Sequence, residues 1–143
     1  MEIKPTPESM VTTSPQPFST LDLSGEGYTQ ELVAVRGVIT EYWGGFNSYD
    51  KERVLALLTP EYHQIRAERI VSDIGRLKLF RVKLGWGEEA PPTVKPEGTA
   101  QVFIEIREPL GTRRVEMDFQ KRKEGWRITF VEEVEKTELT PIP

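Results

Sequence analysis

Residues 101–131 read QVFIEIREPLGTRRVEMDFQKRKEGWRITFV. Apolar side chains recur here with a period of two: Val102, Ile104 and Ile106, then Val115, Met117 and Phe119, then Trp126, Ile128 and Phe130. Successive side chains of a strand point to opposite faces, so this alternation predicts strands with one apolar face. Glu108-Pro109-Leu110-Gly111 and Lys123-Glu124-Gly125 separate the runs and read as hairpin turns. A fourth strand precedes them, where Val82, Leu84 and Trp86 alternate with Arg81, Lys83 and Gly85 before Pro91 and Pro92 break the pattern. Four strands joined this way form an antiparallel meander with one mixed face, which carries Phe103, Glu105, Arg107, Arg114, Glu116, Asp118, Arg127, Thr129 and Val131.

Upstream the period changes to that of a helix. Leu32, Val35, Ile39, Tyr42, Trp43 and Phe46 recur at intervals of three and four. The expected helix begins at Thr29 as N-cap, with Tyr28 and Val33 as a hydrophobic staple, and ends at Gly44-Gly45. Gly37 inside it is read as a place for close packing. Asp50 caps a short second helix with Val54, Leu55, Leu57 and Leu58. Thr59-Pro60-Glu61 then supplies an N-cap, a proline at the first helical position and an acid at the positive end of the dipole. The third helix carries Ile65, Ile70, Ile74 and Leu77, and ends between Asp73 and Leu79.

Helices first and an antiparallel sheet after define one α+β domain over residues 28–134. Residues 1–27, rich in Pro, Ser and Thr, and residues 135–143 are expected to be tails. At 143 residues the chain has room for one ordinary domain. Its formal net charge of -4 argues against a nucleic-acid backbone binder, which needs clustered positive charge. Lys121-Arg122-Lys123 lies at a hairpin without aromatic platforms and reads as a solvated turn. The absence of cysteine excludes disulfides, thiolate metal sites and cysteine nucleophiles, and a single histidine excludes a His-rich metal site. No apolar run is long enough to span a bilayer, and the N-terminus lacks the basic start and apolar block of a secretion signal. The Pro/Ser/Thr-rich start suits an extracytoplasmic tethered domain, with a cytoplasmic protein as the alternative.

The helix ending in Phe46-Asn47-Ser48-Tyr49-Asp50, the short helix KERVLALL, the restart TPEY and the last strand in EGWRITFVEEV stand in a telling order. This arrangement resembles the nuclear transport factor 2-like (cystatin-like) superfamily, especially its small bacterial domains of unassigned function. The resemblance implies a bent sheet of four or more strands wrapped around the helices as a cone. It also implies frequent dimers through the outer face of the sheet and a pocket at the cone's open end, where enzymes of the family place a carboxylate, His or Tyr.

Candidate site residues follow. Tyr42, Trp43, Tyr62, Trp86, Met117, Phe119 and Phe130 are candidates to line a pocket for a small apolar ligand, although most of them must serve as core. Glu132 continues the alternation of Trp126, Ile128 and Phe130, which would set a carboxylate on the apolar face unless the strand has already left the sheet. His63 is the other candidate acid or base, with a solvent-facing helical histidine as its plain reading. No metal, cofactor or nucleic-acid site is expected. Two functions stay open: a non-catalytic binding or interaction module that holds a ligand or a second copy, and a small isomerase, cyclase or hydrolase acting on an apolar substrate through Glu132.

Overall fold

The computed structural model describes residue 21 and residues 23–134. Its elements run α1 (Gly25–Asn47), α2 (Lys51–Leu55), α3 (Pro60–Leu79), β1 (Gly85–Glu88), β2 (Thr93–Lys95), β3 (Thr99–Glu108), β4 (Gly111–Arg122) and β5 (Gly125–Val134). Of the expected tails, 1–27 and 135–143, residues 1–20, 22 and 135–143 lie outside the described residues. Packing reaches back beyond Tyr28, however: the Leu21 amide donates to the Pro96 carbonyl, and Leu21 and Leu23 rest against the core.

Helix α1 starts earlier and ends later than its sequence suggested. Ser24, with extended backbone, is its N-cap and Glu26 lies in the first turn, while the Thr29 hydroxyl donates back to the Gly25 carbonyl from inside the helix. Gly44 and Gly45 do not terminate it. They are where α2 approaches, since a Cβ on Gly45 would lie 2.6 Å from a Val54 methyl carbon. The chain reverses at Tyr49, whose φ of 58 is rare for a side chain of this size. Helix α2 is capped by Asp50, which accepts from the Arg53 amide, and α3 by Thr59, which accepts from the Tyr62 amide. Both caps satisfy amides that a helix start leaves without partners.

All strand pairings are antiparallel, in the order β1-β3-β4-β5 with β2 also on β3. Among the described residues the sheet therefore has five strands, the short β2 following the proline pair. Strand β1 starts only at Gly85 because the backbone before it is already engaged. Val82 donates to the Leu77 carbonyl and accepts from the Tyr49 hydroxyl, and Leu84 exchanges two hydrogen bonds with the Asn47 amide.

The inner face of the sheet, with Val102, Ile104, Ile106, Val115, Met117, Phe119 and Ile128, forms one buried cluster with Val35, Ile39, Tyr42, Trp43 and Phe46 of α1. Polar ties hold the layers in register. Arg36 of α1 grips Glu88 of β1, and Glu31 of α1 accepts from both Lys121 and the Trp126 indole.

Strand β5 carries an irregularity that decides which side chains face the core. Asp118 pairs with Phe130 but Phe119 pairs with Ile128, leaving Thr129 as an extra residue. Paired residues share a face, so the bulge exchanges the faces of everything after it. Val131, opposite Met117, turns inward, and Phe130, opposite Asp118, turns outward. Both are the reverse of what uninterrupted alternation predicts.

Candidate functional site

A cleft of about 120 Å³ opens between the C-terminal half of α1, the face of α3, and the adjoining ends of β4 and β5. Its floor is aromatic. Tyr42, Trp43 and Phe46 come from α1, with ring centroids 4.8 to 5.4 Å apart, and Tyr62 comes from the first turn of α3. Phe46 lies four residues beyond Tyr42 and three beyond Trp43, so one helical face presents the three rings together. Its rim is charged: Arg66, Arg69 and Asp73 from α3, Arg113 from β4, Glu132 and Glu133 from β5.

The rim charges are largely matched by ion pairs, within the rim or just beyond it. Arg66 pairs with Glu132, Arg113 with Glu108 at 2.7 Å, and Asp73 receives Arg76 at 2.7 Å and Arg69 at 3.9 Å. Glu132 is half-buried, and its backbone lies opposite Glu116 of the outer face. Because β5 is the last strand of the sheet, its side chain still reaches Arg66 on α3. The strand has not left the sheet at this point, and the carboxylate stands neither in open water nor among apolar walls.

Burial, reinforced by the nearby Tyr62 and Asp73, pushes the Tyr42 phenol well above its usual range despite Arg113 and Arg66. Tyr42 therefore stays protonated at any working pH and can donate a hydrogen bond but not act as a base. The Tyr62 hydroxyl is engaged on the sheet edge, donating to the Val131 carbonyl at 2.8 Å and accepting from its amide at 2.9 Å. Trp43 is 3% exposed, and its indole Nε1–H has no hydrogen-bond partner among the described residues. Leaving such a donor buried and unpaired costs about 1–3 kcal/mol.

Of the residues singled out from sequence, the structure brings Tyr42, Trp43, Tyr62 and Glu132 to this cleft. Met117 and Phe119 are buried in the core between sheet and helix, Trp86 packs at the core's margin on β1, and Phe130 faces outward. His63 points to solvent beside the buried Tyr62. The arginines were not anticipated, although signals for them existed. Arg113 has the same strand parity as Val115, and its partner Ile106 is fully buried. Arg66 lies four residues from both Tyr62 and Ile70, on the same stripe of α3. The lining is thus half charged, where an almost wholly apolar one was expected.

A wider groove of about 480 Å³ runs between the start of α2 and the second half of α3. Asp50, Lys51, Glu52 and Lys78 dominate it, and only Val71 and Ile74 give it an apolar wall. It offers volume without a shaped floor, and we regard the smaller aromatic cleft as the better site. Among the described residues, no group of three or more His, Asp or Glu side chains is placed to hold a metal ion, and no helix is long and apolar enough to cross a membrane.

No family model matches this sequence, and no curated protein matches it. Solved structures do share its fold. A domain of unknown function with a cystatin-like fold from Nostoc punctiforme superposes with a TM-score of 0.60 at 14% identity, covering 78% of this chain and 80% of that one. A protein of unknown function with a cystatin-like fold from Methylobium petroleophilum gives 0.53 at 14% identity, covering 83% and 82%. A candidate aromatic ring hydroxylase from Novosphingobium aromaticivorans gives 0.50 at 12% identity, covering 74% and 94%. Likeness at such identities establishes architecture and nothing about activity. The chain has the cystatin-like fold that the resemblance to nuclear transport factor 2-like domains implied.

Proposed function

We propose that this domain is a non-catalytic binding module whose cleft holds one small, mostly flat and apolar molecule carrying a hydrogen-bond acceptor. The unpartnered Trp43 Nε1–H beside that cleft carries the reading. A donor left unpaired in a buried wall carries a standing cost, and a ligand acceptor that reaches it as the surrounding side chains shift offsets that cost. The volume suits a ligand of a few heavy atoms, since each water in bulk occupies about 30 Å³.

The enzymatic alternative rests on Glu132. Its pairing with Arg66 speaks against that role, because the carboxylate must leave that ion pair before it can exchange a proton with a substrate. Of the partners that the sequence suggested for it, Tyr62 is committed to the β5 backbone and His63 lies outside the cleft. A second copy docking on the outer face of the sheet is the other association we propose. Phe103 and Phe130 contribute apolar area there, Phe103 beneath the Arg114 guanidinium at 4.1 Å.

Native mass spectrometry of the purified protein reads ligand and oligomeric state together. The expected result is an adduct of low mass that disappears in Trp43→Phe. That substitution keeps an aromatic ring and deletes the orphan donor, so its effect on unfolding free energy should stay within about 1 kcal/mol, against 3–5 for loss of a core aromatic. Retention of the same adduct by Trp43→Phe would sink the reading.

A further inference from the structure

The corner where α3 turns into β1 combines three observations that the cleft does not explain. The first is charge. Residues 74–87, IGRLKLFRVKLGWG, contain Arg76, Lys78, Arg81 and Lys83 and no acid, in a chain whose formal net charge is -4. Arg76 is shared with Asp73, and the Lys83 ammonium donates to the Asn47 carbonyl. Lys78 and Arg81 enter no salt bridge among the described residues, although Asp50 and Glu52 face Lys78 across the outer groove.

The second is apolar exposure. Leu79 and Phe80, set between those cations, are 74% and 68% exposed. Helix α3 buries Tyr62, Ile70 and Ile74, and its end leaves this pair outside.

The third is a strained backbone. The Val82 amide donates to the Leu77 carbonyl and the Arg81 amide to the Lys78 carbonyl, a Schellman closure that holds the corner in one shape. Arg81 occupies its left-handed position with φ 57. Glycine is the favoured residue there, because any side chain is strained in that conformation. The chain thus places a cation where fold stability alone would select glycine.

From these we infer that the α3–β1 corner is a docking surface for an anionic lipid bilayer, with Phe80 and Leu79 entering the interface and Lys78 and Arg81 against the headgroups. Charge complementarity selects an anionic partner, and the protruding apolar pair selects a bilayer over nucleic acid. A phosphate backbone offers such side chains nothing to bury them and a single strand would stack a base on Phe80 but leave Leu79 in water, whereas a headgroup boundary buries both. The inference is independent of the cleft and its ligand.

Flotation of the full chain with vesicles of phosphatidylcholine, with and without phosphatidylglycerol, tests it at low and at raised salt. The expected result is co-flotation with the anionic vesicles alone, weakening as salt rises. Arg81→Gly should raise the thermal midpoint by relieving the strain, yet lower partitioning about five-fold, the contribution of one cation near an anionic surface. Leu79→Ser with Phe80→Ser, both at exposed positions and therefore tolerated by the fold, should lower it on the order of ten-fold or more. The inference is overturned if wild type does not float with anionic vesicles, or if both variants float as wild type does. Preferential binding of single-stranded DNA or of an acidic peptide, unaffected by the Leu79 and Phe80 changes, overturns it equally.

Discussion

Gly37 and Gly45 occupy the same helix and are indistinguishable by propensity, yet their surroundings are opposite. A Cβ at Gly37 would meet nothing within 4 Å, so the residue costs the helix conformational entropy without permitting any contact. Gly37→Ala should stabilise the protein by about 0.5–1 kcal/mol, and Gly75→Ala in α3, equally open, by a similar amount. At Gly45 the added methyl would sit 2.6 Å from a Val54 methyl carbon and 3.4 Å from the Val54 amide nitrogen, forcing α1 and α2 apart. Gly45→Ala should therefore cost about 1–3 kcal/mol. Urea unfolding of the three variants reads both signs in one series, and a stabilising Gly45→Ala would refute the packing described. Sequence alone assigned the close approach to Gly37 and the helix end to Gly44-Gly45, because what distinguishes these glycines is Val54 on another element.

Strand β5 shows at the level of elements what this fold does with a sheet edge. Unpaired strand edges invite pairing with other chains, and here the edge is covered. Ile128 exchanges hydrogen bonds with Leu57 and Thr59, and the Tyr62 hydroxyl both donates to and accepts from Val131. Tyr62→Phe would keep the ring in the cleft floor while leaving the Val131 amide and carbonyl unpaired. The expected cost is about 1–2 kcal/mol, with faster hydrogen exchange at the Val131 amide than in wild type. Unchanged exchange there would mean that the hydroxyl is not the edge cover. Tyr62 was legible as a pocket residue, and its neighbour His63 as the one facing water, but the edge contact was not. The same holds for the strands. Period-two alternation revealed β3, β4 and β5 and their turns, whereas β2 is three residues long and leaves no period to read. The bulge at Thr129 has no sequence mark, and through it Phe130 and Val131 exchange faces, while Glu132 reaches Arg66 only because β5 lies at the sheet edge. The aromatic half of the cleft could thus be foreseen and the charged half could not, because pairing across elements, not local pattern, brings the charges together.

At the scale of the whole molecule the domain has two sheet faces of different character. The inner face is closed by α1, and the outer face is open and carries a carboxylate cluster in which Gln101 donates to both Glu116 and Asp118. Burial, with the hydrogen bond and repulsion of Glu116 added, pushes the Asp118 carboxyl up to about 6. An acid whose folded pKa exceeds its unfolded one binds more protons when folded, so stability falls as pH rises between the two values. Its penalty is absent below about pH 4, grows up to about pH 6 and is constant above. Asp118→Asn removes that penalty while keeping an acceptor for Gln101. The variant should be more stable than wild type at neutral pH by no more than about 1 kcal/mol, because water screens this half-exposed face. The difference should vanish at the acid end of the range, where the two proteins carry the same charge here. A second copy seated on this face would bury Asp118 further and strengthen its preference for the proton. Sedimentation velocity should then show the dimer fraction of wild type rising as pH falls from neutral toward 5, with Asp118→Asn dimerising independently of pH over that range. A wild-type dimer fraction indifferent to pH, or highest at neutral pH, would place the self-association surface elsewhere on the molecule.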